Sequence, residues 1–184
     1  WAAMNTACNL KLPVLFVVED NGFAISVPVE VNTAGGSVSR LLTGMPDLLI
    51  EECDGNDVFA SYEAAQRAVE YCRQRKGPAL LHAHVVRRYS HSLSDDDQMY
   101  RTQAEREEDE RRDPINRLRA HLIENGLATE AELQAIDEEV TAEVKAASDR
   151  ALAQPQPAPE TATRWLYSEE VDPTAEPFDT EDDP

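Results

Sequence analysis

The chain has 184 residues, of which 41% are hydrophobic, enough for a modest folded domain and too apolar for a disordered polypeptide. A net charge of -19 argues against nucleic acid and against anionic membrane surfaces, both of which carry the same sign. No stretch is long and apolar enough to span a bilayer, none reads as a signal peptide, and Cys8, Cys53 and Cys72 lack paired spacing, so they read as free thiols of a reducing, cytoplasmic compartment rather than a metal or redox site.

In chain order, residues 2–10 read as the end of a helix that starts without a cap, as in a piece cut from something longer, and Pro13 follows it. Residues 14–18 form a short apolar, β-branched run, expected to be a strand buried on both faces of a parallel sheet. A second strand is expected around Leu48-Leu49-Ile50, then a turn at Asp54-Gly55. Val58, Tyr62, Ala65, Val69 and Cys72 step by four and three along one helix face, and Gly77-Pro78 ends that helix. Residues 79–86 make the third strand, and strand–helix–strand with this crossover predicts a parallel βαβ unit.

Residues 101–112 are a dense charge run, read as a solvated helix face. Asp113-Pro114 starts a helix whose apolar residues are Ile115, Leu118 and Leu122, and Asn125-Gly126 stops it. Thr129 and Glu132 form a capping box for a further helix. The stripe Leu133, Ile136, Val140, Val144, Ala147 and Ala151 on that helix is expected to pack into a core. Residues 154–159 are proline-rich and extended, and an acidic tail follows with an apolar island at Trp165-Leu166-Tyr167.

In open α/β sheets ligands bind beyond the carboxyl ends of the strands. Two polar segments fall there: Glu19-Asp20-Asn21-Gly22-Phe23, and residues 87–97 with Arg87, His91 and Ser92. The first can be a hard-cation site, because Asn side-chain and backbone oxygens suit Mg²⁺, or simply an Asp-Asn-Gly turn. The second can hold phosphate through Arg and His, or be a polar surface loop. His82 and His84 share one face of a strand, but no third ligand is visible at suitable spacing, so they read as structural, and His121 receives no role.

Asn9 to Ser26, with Glu19-Asp20-Asn21-Gly22-Phe23 at its centre, resembles the second half of the thiamine diphosphate motif in the alpha part of 2-oxo acid dehydrogenases. Asp54-Gly55-Asn56-Asp57-Val58, then Arg87, His91-Ser92-Leu93-Ser94-Asp95-Asp96, Tyr100-Arg101 and Asp113-Pro114-Ile115 are similar to further family markers in the same order, so the resemblance covers residues 1–154. It implies an α/β, parallel-sheet thiamine diphosphate-binding fold, present in part over residues 1–100, a helical extension over 101–153 and a linker and acidic tail over 154–184. It implies thiamine diphosphate and Mg²⁺ as cofactors: Asn21 giving its side-chain oxygen and Phe23 its carbonyl to the metal, and His91 contacting the diphosphate as the catalytic-loop residue. Relatives commonly carry Asn at the position of Asp20, and Ser92 matches a position phosphorylated in some of them, where a phosphate would repel the cofactor's own.

The implied activity is decarboxylation of a 2-oxo acid, branched-chain in preference to pyruvate, with acyl transfer to a lipoyl group of an acyltransferase. Implied partners are a beta-type domain, expected on the same polypeptide, and an oligomeric assembly. The family's Gly-Asp-Gly acid is expected before Trp1, and the aminopyrimidine-activating glutamate and a catalytic histidine in the beta-type domain, so the segment alone is expected to be inactive. Residues 171–184 resemble the junction of fused alpha–beta enzymes. The alternatives are an acetoin dehydrogenase component and a non-catalytic docking module.

Overall fold

The computed structural model describes residues 1–164, and its contacts gather the chain into one compact unit, Trp1–Leu133, and a second beginning at Gln134. The expected tail and its Trp165-Leu166-Tyr167 island lie outside the described residues.

The first unit is built on three parallel strands, β1 (Leu15–Asp20), β4 (Leu49–Asp54) and β5 (Ala79–His84), in the order β1-β5-β4. The register aligns Asp20, Asp54 and His84 at the same end, so the carboxyl ends of all three strands share one edge. A two-residue hairpin, β2 (Phe23–Ala24) with β3 (Val27–Pro28), follows β1. The short helices α2 (Val29–Asn32) and α3 (Val38–Leu41) come next, after α1 (Ala2–Asn9) at the chain start.

The βαβ expectation holds: α4 (Val58–Arg73) carries the chain from β4 to β5. Its buried face differs from the expected stripe. Ala64, Ala68 and Cys72 are the buried residues, whereas Tyr62 is 63% exposed. Small side chains let the helix lie close on the sheet, and Ala68, Cys72 and Ala79 with Leu15 and Leu49 form the core there. Burial raises the Cys8 and Cys72 thiols above their ordinary range, as suits free cysteines in a core.

The strand at β1 is half-buried rather than covered on both faces: Val17 is 55% exposed, because β1 is an edge of the described sheet. The central strand β5 is the one buried almost throughout, its run Ala79–Ala83 enclosed on both faces.

Three helices follow: α5 (Gln103–Arg111), α6 (Pro114–Glu124) and α7 (Glu130–Leu152). Asp113 accepts from the Ile115 N–H at 2.8 Å, with Pro114 in the first turn. Gly126, at φ 65°, ends α6, and Thr129 with Glu132 makes both bonds of the capping box for α7. The α7 stripe corrects the expectation of core packing, since α7 has no buried residue and Ile136 and Val140 are about half exposed. Apolar periodicity makes a face, and burial needs an element to cover it. No helix among the described residues is long and apolar enough to cross a membrane.

Candidate functional site

The carboxyl edge of the sheet is wired from strand to strand. The Val85 N–H donates to the Asp20 carbonyl at 2.9 Å, tying the exit of β1 to the exit of β5. The Gly55 N–H donates to the His84 carbonyl at 2.8 Å, tying β4 in from the other side. Asn56, 2% exposed, completes the join: its amide donates to Asp54 at 2.9 Å and to the His84 carbonyl at 3.2 Å, and its oxygen accepts from the Val86 N–H at 3.0 Å. The Asp54–Val58 marker is therefore an architectural clamp. Asp57 caps α4, and Arg117 from α6 reaches Asp54 at 2.9 Å and Asp57 at 3.2 Å.

After β1 the chain turns sharply. Asp20 Oδ1 accepts from the Gly22 N–H at 2.9 Å, and Asn21 Oδ1 accepts from the Phe23 N–H at 3.1 Å. Gly22 sits at φ 77°, where a side chain would be strained. The Val29 N–H donates to the Gly22 carbonyl at 2.8 Å, which makes Phe23 and Pro28 a non-hydrogen-bonded pair and aims the Phe23 carbonyl away from β3. Burial pushes the Asp20 carboxyl up, but the Gly22 N–H and the His82 imidazole together hold it below its ordinary value.

The second segment leaves β5 and returns to the first. The Arg87 guanidinium lies 5.5 Å from the Phe23 ring centre and donates to the Tyr100 hydroxyl at 2.7 Å. Tyr100 in turn donates to Asp95 at 2.6 Å, and Asp95 accepts from the His91 N–H at 2.8 Å. The Phe23 and Tyr100 rings are 6.0 Å apart. So Phe23, from the first polar segment, and Arg87 with the His91 loop, from the second, form one cluster. The Tyr100 hydroxyl and the His91 N–H hold the Asp95 carboxyl below its usual range. The His91 and Ser92 side chains stand exposed on the loop.

Arg101 departs from the expected solvated charge run: it is 5% exposed, donates to the Arg87 carbonyl at 2.9 Å, and pairs with Asp97 and Asp109. A cleft of about 640 Å³ opens beside the turn, with Asp20, Asn21, Phe23, His84, Val85 and Arg101 in its wall.

Two features bear on an anionic cofactor with a hard cation. Arg87 Nε and Nη1 are buried and have no hydrogen-bond partner among the described residues, so this cation has donors to spare for an anion. The Asn21 side-chain oxygen and the outward Phe23 carbonyl are the donor types that Mg²⁺ takes. The residues present fit a diphosphate with its metal. Arg87 belongs to the loop read from sequence, but its spare donors had no sequence signal, since they depend on what surrounds the side chain.

His82 and His84 are not the isolated pair the spacing suggested. His82, fully buried, has Nε2 2.9 Å from Asp20 Oδ2 and Nδ1 3.0 Å from Ser39 Oγ. The Ser39 hydroxyl donates to Glu52 Oε1 at 2.7 Å, and Glu52 Oε2 lies 3.0 Å from His84 Nε2. Ser39 and Glu52 had no marker in the sequence: the pairing of β4 with β5 sets Glu52 opposite His82, and α3 lying against β5 brings in Ser39.

A family model described as dehydrogenase E1 component matches residues 1–160. The chain is 36% identical over 173 residues to the mitochondrial pyruvate dehydrogenase E1 component subunit alpha of Dictyostelium discoideum, covering 92% of this chain and 44% of that protein. It is 37% identical over 166 residues to the 2-oxoisovalerate dehydrogenase subunit alpha of Bacillus subtilis, covering 89% and 49%. Against the somatic mitochondrial pyruvate dehydrogenase E1 component subunit alpha of Homo sapiens the identity is 35% over 167 residues, covering 90% and 42%. The chain spans about half the length of the curated relatives it matches.

Proposed function

The chain belongs to the dehydrogenase E1 component family, and on that premise we propose that it forms the alpha-side part of a thiamine diphosphate- and Mg²⁺-dependent 2-oxo acid dehydrogenase. The observation that supports this most is the meeting of the two polar segments at the carboxyl edge, with the unpartnered donors of Arg87 between them. In this reading Arg87 and His91 hold the diphosphate, while the Asn21 side-chain oxygen and the Phe23 carbonyl hold the metal. When bound, the cofactor supplies the carbon nucleophile that lets a 2-oxo acid lose CO₂.

The chain's own residues anchor and orient. Tyr100 and Asp95 fix the loop that carries His91, and Arg101 fixes the backbone of Arg87. Charge-assisted bonds from a guanidinium stacked over Phe23 favour a phosphoryl group over water. The group that activates the cofactor is assigned to a beta-type domain, and the acyl acceptor to a lipoyl-bearing acyltransferase, so the chain alone should not release CO₂. The named relatives act on pyruvate or on 2-oxoisovalerate. We favour a branched-chain substrate, and rates on the two acids in the assembled enzyme decide.

The test is calorimetric titration of thiamine diphosphate with Mg²⁺ into the chain assembled with its beta-type partner. His91→Ala, Asn21→Ala and Arg87→Ala should each weaken binding by roughly ten-fold or more, about 1.4 kcal/mol. A wild-type assembly that takes up no cofactor would sink the proposal and favour a docking role.

A further inference from the structure

The hydrogen bonds around His82 leave one ring nitrogen facing a carboxylate. Glu52 Oε1 is an acceptor, so the single Ser39 hydroxyl hydrogen is used on it, at 2.7 Å. Ser39 Oγ must then accept from His82, which places a hydrogen on His82 Nδ1. The other ring nitrogen, Nε2, faces the Asp20 carboxylate at 2.9 Å. A neutral imidazole already protonated on Nδ1 would set a lone pair against that carboxylate. A metal ion held by that nitrogen and the carboxylate would satisfy both.

A second imidazole is in place. The rings of His82 and His84 are 4.4 Å apart on the same strand face, and one ligand atom each from Asp20, His82 and His84 lie within 4.8 Å of one another. If His84 keeps Nε2 on Glu52, at 3.0 Å, its Nδ1 is left over. Both rings would then show the arrangement usual for metal-binding histidines: one nitrogen on the ion, the other donating to a protein oxygen that fixes the ring. Here those oxygens belong to Ser39 and Glu52, themselves bonded to each other.

We propose that Asp20, His82 and His84 bind a zinc-class divalent transition-metal ion at the carboxyl edge of the sheet, separate from the hard-cation position at Asn21. Two imidazoles and one carboxylate suit zinc, nickel or cobalt, whereas Mg²⁺ prefers an all-oxygen shell and dehydrates reluctantly. Three protein ligands leave one position open to the adjoining cleft, which Asp20 and His84 both line.

The proposal is independent of the cofactor reading, because its test contains no thiamine diphosphate. Metal-stripped full chain is titrated with zinc sulfate alone, in a large excess of Mg²⁺. One ion per chain should bind. His84→Ala, a change at a ring about half exposed, should abolish or sharply weaken binding, and Asp20→Asn should do the same while keeping the side-chain shape. Glu52→Gln should cost roughly 10–100-fold in affinity, as loss of an orienting partner does. X-ray absorption should show nitrogen and oxygen neighbours at about 2.0–2.1 Å. No stoichiometric uptake, uptake unchanged by His84→Ala and Asp20→Asn, or a sulfur neighbour from a cysteine would each overturn it, and the first would leave His82 paired to Asp20 through a proton.

Discussion

The Tyr100 hydroxyl stands between two charges, accepting from Arg87 at 2.7 Å and donating to Asp95 at 2.6 Å. That one oxygen joins the exit of β5 to the loop carrying His91, because Asp95 also takes the His91 N–H. Removing it should loosen the loop without touching the core. In Tyr100→Phe the ring stays beside Phe23 and only the two bonds are lost. Amide exchange at residues 91–99 should rise roughly five- to ten-fold while the strands keep their protection. Unchanged exchange in the loop would show that Tyr100 does not hold it.

How much of this was legible beforehand differs by residue. The run Ala79–Ala83 announces a buried strand because it lies in the central one, enclosed on both faces. The same kind of run at β1 misleads, since nothing in it tells an edge strand from a central one, and at the edge Val17 is left exposed. The hairpin of Phe23–Ala24 and Val27–Pro28 has no readable period at two residues per strand. Asp20 and His82 are separated by 62 positions, so no spacing rule could join them. Residue chemistry marks the segments of Asn21, Phe23 and His91 as candidates, but only the family likeness chooses between ligand site and plain turn or surface loop.

Gly55 is required by contact rather than by backbone freedom. A Cβ there would lie 2.5 Å from Val85 Cγ1 and 3.0 Å from Ala83 Cβ, in the join between β4 and β5. Gly55→Ala should destabilise the first unit by about 1–3 kcal/mol, as overpacking of a tight interior does. Urea unfolding of the two proteins measures this directly, and equal midpoints would mean that the join yields more readily than its distances indicate.

Asp54 gives the fold a defined acid sensitivity. Burial raises its carboxyl, but the Arg117 guanidinium and the two Asn56 donors outweigh that and hold it below its ordinary value. Because the folded value lies below the unfolded one, near about 3.9, the unfolded chain binds the proton first. The group's stabilisation is therefore complete above the unfolded value and is lost as pH falls through the folded one. Asp54→Asn should lower stability at neutral pH and flatten its decline below about pH 4. Parallel acid-unfolding curves for the two proteins would refute the assignment.

Val140 tests the opposite case, an apolar residue at helical spacing that the structure leaves 50% exposed. A core valine truncated to alanine costs a substantial part of its transfer energy plus a cavity term. A half-exposed one has little to lose, and alanine is the better helix former because it gives up no side-chain rotamer freedom. Val140→Ala should therefore change stability by no more than about 0.5 kcal/mol in either direction. The same substitution in the chain assembled with the proposed beta-type partner separates a solvent-facing stripe from a docking face. An unchanged midpoint in both states places Val140 against solvent, and a loss confined to the assembly places it in the interface.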